Sequence, residues 1–134
     1  PRKIFANSNL SLKKSDLEIN STVFLQYPKG VNAILELGWI PYGKYRHLEL
    51  YSKKQYTFCD LEKQIINIYR NKKLIKTINF NFKEPLNLEL NDFINSIKSS
   101  KTPKATGDVG LNIVKIAEAA TKSIYKKKII TLQR

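Results

Sequence analysis

The chain has little that could serve as a redox, metal or covalent centre. Its 134 residues include one cysteine, one histidine and no methionine. A single cysteine, Cys59, excludes a disulfide framework and a thiolate zinc site, and it points to a reducing compartment, the cytoplasm. A single histidine, His47, excludes a histidine cluster. The five glycines, Gly30, Gly38, Gly43, Gly107 and Gly110, form neither GxGxxG nor GxxxxGK[ST], so no Gly-rich turn can bring backbone donors against a pyrophosphate. No apolar run approaches the ~18 residues of a membrane span, and the start Pro1-Arg2-Lys3-Ile4-Phe5 lacks the apolar stretch of a secretory signal. The chain reads as soluble and unexported, with no membrane partner.

Acidic groups are also scarce: 11 against 24 basic ones, for a net charge of +13. Nucleic acid is the obvious partner for such a charge. The basic set, however, is 20 Lys to 4 Arg beside 16 Ile and 12 Asn, residues that AT-rich codons supply, so genome composition accounts for much of the excess. Base readout also favours the bidentate fork of Arg over the point charge of Lys. Solvated lysines are the bland reading, and a freestanding basic β-sheet module that binds nucleic acid is the alternative function.

What is present suffices for one domain spanning residues 1–134, with 42% apolar residues to build a core. Short β-branched and aromatic runs predict strands over 3–8, 21–27, 31–39, 45–51, 55–59, 64–69 and 73–80. The second and third join through Pro28-Lys29-Gly30 as a hairpin. Alternation in the third puts Val31, Ala33, Leu35, Leu37 and Trp39 on one face, expected to be core. Connections this short give antiparallel pairing, because a parallel crossover needs a dozen or more residues.

From Pro85 the period changes. Leu86, Leu90, Phe93, Ile94 and Ile97 form one helical stripe, with Pro85 suited to the first turn. Thr106 can cap a second helix running to about Tyr125, whose apolar face is Leu111, Ile113, Val114, Ile116, Ala117, Ala120 and Ile124. Lys126-Lys127-Lys128 then sits at the negative end of that helix, ahead of a short apolar tail at 129–132. Strands first and helices last read as α+β: a large, mostly antiparallel open β-sheet of six or seven strands with two C-terminal helices packed on one face.

Catalytic and metal constellations fail one by one. Cys59 lies in a strand among Tyr56, Thr57 and Phe58 and reads as a buried, inert thiol. His47 alternates with Leu48 and Glu49 without a nucleophile motif and reads as a structural or rim histidine. Asp60 and Glu62 are turn acids, and Gly107-Asp108-Val109-Gly110 is a helix entry. One segment stands out, the corner at 38–47. Trp39 and Tyr42 can wall an apolar sugar face while Lys44 and Arg46 pair with anionic oxygens; the competing reading is a loop with core-capping aromatics and solvated cations.

The order of these pieces resembles the C-terminal domain of the glucose-fructose oxidoreductase, inositol dehydrogenase and MocA family of NAD(P)-dependent sugar oxidoreductases. The resemblance rests on the hairpin Val23-Phe24-Leu25-Gln26-Tyr27-Pro28-Lys29-Gly30-Val31-Asn32-Ala33-Ile34-Leu35-Glu36, on the stretch from Trp39 to Leu50, and on the tail. In the tail the matching pieces are Glu84-Pro85-Leu86, Phe93-Ile94, Pro103, Thr106-Gly107-Asp108-Val109-Gly110-Leu111, Glu118-Ala119-Ala120 and Ser123-Ile124. It implies a substrate-binding and dimerisation domain that pairs through its open sheet face and is inert without its N-terminal Rossmann domain. It places NAD or NADP on that other domain, none on this chain. The family's cofactor glycines, lysine and catalytic histidine have no counterpart here, which implies a fragment of a two-domain protein. The corner looks closest to members acting on nucleotide sugars, and Trp39, Tyr42, Lys44 and Arg46 are the implied substrate contacts.

Overall fold

The computed structural model describes residues 1–11, 18–39, 44–81 and 84–132, with side chains left out for 9–11 and 18–19. Its strands are β1 (Lys3–Ser11), β2 (Glu18–Gln26), β3 (Asn32–Gly38), β4 (His47–Tyr51), β5 (Tyr56–Asp60), β6 (Ile65–Arg70), β7 (Lys73–Asn79) and β8 (Ile130–Thr131). The helices are α1 (Pro85–Ser99) and α2 (Gly107–Lys126). The class is α+β and the pairing is antiparallel throughout. The strands, expected in one sheet, divide four and four, in the orders β3-β2-β1-β8 and β4-β5-β6-β7. Residues 40–43 of the corner at 38–47 lie outside the described residues.

The chain forms two compact units, Pro1–Pro41 with Lys104–Arg134, and Tyr42–Pro103. In the first, β2 alternates cleanly: Val23 and Leu25 are buried while Thr22, Phe24 and Gln26 are exposed. The β2–β3 hairpin turns at Lys29 and Gly30, both with positive φ (61° and 78°), a backbone that glycine adopts without Cβ strain. Ile4, Ala6, Val23 and Leu25 pack with Ala119 and Ala120 of α2 to make the core, and Ile116, Ile124 and Ile130 close its edges. Alanines at the helix seat let the α2 backbone approach β1 closely.

Two expectations about burial are corrected. The face of β3 assigned to the core is not buried: Ala33 is half-buried, but Val31, Leu35 and Leu37 are exposed and Trp39 is 87% exposed. The helix lies over β1 and β8, and β3 is two strands away from β1 in the sheet, beyond its cover. The buried face of α2 is likewise narrower than its apolar face, because Leu111, Ile113 and Val114 remain exposed. Two terminus readings hold: Thr106 caps α2, its Oγ1 accepting from the Val109 N–H at 3.3 Å, and the Lys run falls at the helix end, with Lys127 in the left-handed region.

In the second unit, β4 to β7 make a meander. The β6–β7 turn places Asn71 and Lys72 at φ 48° and 61°, the signature of a two-residue type I′ hairpin. At the β4–β5 turn the Ser52 Oγ donates to the Gln55 carbonyl (3.0 Å) and accepts from the Gln55 N–H (3.1 Å). Thr57 and Cys59 are buried on one face, so Cys59 sits as the sequence led one to expect. Helix α1 follows from Pro85, and its stripe of Leu86, Leu90, Phe93, Ile94 and Ile97 stays accessible. No helix of the described residues is long and apolar enough to cross a membrane.

Candidate functional site

The corner between β3 and β4 can be placed only in parts. Trp39 follows β3 in the first unit with its indole exposed. Lys44 and Arg46 lie in the second unit, in the run entering β4, and both are exposed. Tyr42 lies outside the described residues. Of the described corner residues, Lys44 and Arg46 share the second unit. The Arg46 carbonyl accepts the Leu61 N–H at 2.8 Å, which pins the entry to β4 against the β5–β6 turn.

Beside this entry the second sheet carries a polar, aromatic face. The ladder register puts His47, Glu49 and Tyr51 of β4 opposite Asp60, Phe58 and Tyr56 of β5, and these opposite Ile65, Asn67 and Tyr69 of β6. The His47 ring stacks on Phe58 with centroids 5.7 Å apart, and its Nε2 lies 3.6 Å from a Glu49 oxygen. Both Tyr51 and Tyr56 donate their hydroxyls to Glu49 Oε2, the latter at 3.1 Å. The Tyr51 hydroxyl, then that of Tyr56, holds the Glu49 carboxyl below its ordinary range. Burial first, and then the Glu49 carboxylate, pushes Tyr56 up to about 12. The Asp60 carboxylate accepts the backbone N–H groups of Lys63 (2.8 Å) and Glu62 (3.1 Å), an Asx turn, and the Lys63 N–H is the main cause of its lowered pKa.

The sequence missed a second cluster, a groove of about 400 Å3 at the far end of this sheet. Tyr51, Tyr56 and Tyr69 line it, with Lys53, Lys54 and Lys72. Each of three neighbouring strands carries one of these tyrosines, and the cross-strand register that aligns them is not visible in the sequence. Among the described residues no group of His, Cys, Asp and Glu could hold a metal ion.

No family model and no curated protein matches the sequence. Solved structures do. A levoglucosan dehydrogenase, in complex with NADH and levoglucosan, superposes with a TM-score of 0.84 at 12% identity, over 99% of this chain and 45% of that one. The aldose-aldose oxidoreductase from Caulobacter crescentus, complexed with glycerol, gives 0.84 at 15% identity, over 98% and 41%. UDP-N-acetylglucosamine 3-dehydrogenase from Acidithiobacillus ferrooxidans gives 0.83 at 16% identity, over 92% and 40%. The chain thus spans less than half the length of the enzymes it matches. In fold, the chain is similar to an α+β part of each of these oxidoreductases.

Proposed function

We propose that the chain is the C-terminal, substrate-binding and dimerisation domain of a NAD(P)-dependent sugar or nucleotide-sugar dehydrogenase. The observation that carries this reading is the match of nearly the whole chain to under half of each sugar-acting enzyme. The joined protein would oxidise a hydroxyl-bearing carbon to a carbonyl, passing the hydride to nicotinamide and the hydroxyl proton to a base. Neither the nicotinamide nor the base is placed on this chain, which alone would be inert. Its own task is to hold and orient substrate, with Lys44 and Arg46 on the anionic oxygens and Trp39 and Tyr42 as ring walls.

Pairing would use the uncovered face of the first sheet. There Phe5, Phe24 and Ile34 stand in one register row across β1, β2 and β3, each exposed. Burying such a row against its twin removes apolar surface from water at about 25 cal/mol per Å2.

The test is substrate kinetics of the complete dehydrogenase carrying Lys44→Ala and Arg46→Ala together. A KM for a UDP-sugar raised about tenfold or more, with kcat little changed, is expected from loss of charge-assisted bonds. An unchanged KM removes the two cations from the site.

A further inference from the structure

We propose that the groove at the tip of the second sheet binds a nucleotide unit, with its base on the tyrosines and its phosphate on the lysines. The inference goes beyond the dehydrogenase reading and does not rest on it, because the groove lies wholly in the second unit, at the opposite end of β4 from Arg46.

Three observations carry it. The first is the platform. The rings of Tyr51 and Tyr56 lie with centroids 5.0 Å apart, and those of Tyr56 and Tyr69 5.5 Å apart, tilted by 34° and 35°, so one aromatic surface runs across three strands. Any base has a π-face that can stack on such a surface.

The second is charge. The lining is Tyr51, Tyr56 and Tyr69 with Lys53, Lys54 and Lys72, the remainder being neutral Ser52, Gln55 and Asn71; Glu49, which accepts the Tyr51 and Tyr56 hydroxyls, is not part of it. Among the described residues, no acid lies within salt-bridge distance of the three lysines. They form a cationic rim around an aromatic floor, complementary to a phosphate carried on a ring.

The third is that the lysines sit on defined turns rather than on loose chain. Lys53 and Lys54 are held at the tip of the turn that Ser52 closes, and Lys72 occupies a positive-φ position of the type I′ turn. A non-glycine residue there costs about 1–2 kcal/mol of backbone preference. Gln55 is fixed from behind, its Oε1 accepting from Arg70 Nε (3.3 Å) and Nη2 (3.2 Å). The volume suits one nucleotide-sized ligand.

Calorimetric titration of the 134-residue chain at low salt with ADP, with a dT tetranucleotide and with inorganic phosphate tests the proposal. Saturable binding of ADP or of the tetranucleotide is expected, with phosphate weaker by about tenfold or more for want of a base. ADP the tighter of the two assigns the groove to a free nucleotide. The tetranucleotide the tighter, with affinity falling steeply in salt, assigns it to a unit within a strand. Tyr51→Ala should weaken binding about fivefold or more. This side chain is 77% exposed, so its removal leaves the fold intact, and the Lys53→Ala, Lys72→Ala pair gives an independent second loss. Inorganic phosphate binding as tightly as ADP overturns the proposal. So does the absence of saturable binding, or a Tyr51→Ala variant of native circular dichroism that binds ADP like the parent.

Discussion

Ala6 of β1 donates its backbone N–H to the Oγ of Ser123 in α2 at 2.9 Å, and that same Oγ donates to the Lys128 carbonyl at 2.7 Å. Strand β8 pairs only with Lys3 and Ile4, so the Ala6 N–H finds no strand partner on that side. The fully buried Ser123 hydroxyl supplies one and ties the helix end to the sheet.

Ser123→Ala should therefore cost about 1–3 kcal/mol, because it leaves a donor and an acceptor without their partner. Urea midpoints compared with an exposed control such as Ser99→Ala would measure it. A loss no larger than the control's would show that water substitutes for the hydroxyl.

Tyr56 sets an alkaline limit on stability. In the unfolded chain it releases its proton near 10.0, whereas in the folded chain it holds the proton to about 12. Between those values the unfolded state binds fewer protons, so stability falls as pH rises across the window. Tyr56→Phe removes this proton and should flatten the decline, read as the slope of unfolding free energy against pH. Equal slopes in parent and variant would contradict the burial of the phenol. At the acid end the sign reverses. Glu49 and Asp60 have lowered pKa values, so the stability they add is present above the ordinary carboxylate range and is lost as pH falls through their folded values.

Much of this architecture was legible from local pattern. The alternation Ser21-Thr22-Val23-Phe24-Leu25-Gln26 and the turn after it mark β2 and β3, and Thr106 with Gly107 marks the start of α2. What could not be read depends on contacts distant in sequence. Ile130 and Thr131 form a strand only because Ile4 and Lys3 accept them as partners, and a two-residue strand has no period. The core face of β3 was misjudged for a related reason: alternation shows that Leu35 and Leu37 share a face, but not which strands α2 covers. In the candidate site, Lys44 and Arg46 were visible as cations beside aromatics, while the tyrosine groove needed the register of three strands.

Lys72 couples stability to the proposed groove. Replacing it with Gly relieves the positive-φ position, and after the extra chain entropy of glycine the net gain should be about 0.5–1 kcal/mol. The same variant should bind ADP more weakly, since one rim cation is gone. Higher thermal stability with unchanged ADP affinity would separate the turn from ligand binding.

The outward row of the first sheet makes a prediction about assembly. Phe24→Glu with Ile34→Lys should leave the fold intact, because both side chains are exposed, and should shift the complete protein toward the monomer in sedimentation velocity. An unchanged sedimentation coefficient would mean that subunits pair elsewhere or not at all.

The most direct measurement is reduction of NAD or NADP by the complete polypeptide with a panel of sugars and UDP-sugars, run beside the isolated 134-residue chain. The expected result is turnover by the complete polypeptide on at least one of these substrates and none by the isolated chain. Turnover by the isolated chain, or a complete polypeptide that binds no nicotinamide cofactor, would contradict the assignment of this chain as the substrate-holding half of a dehydrogenase.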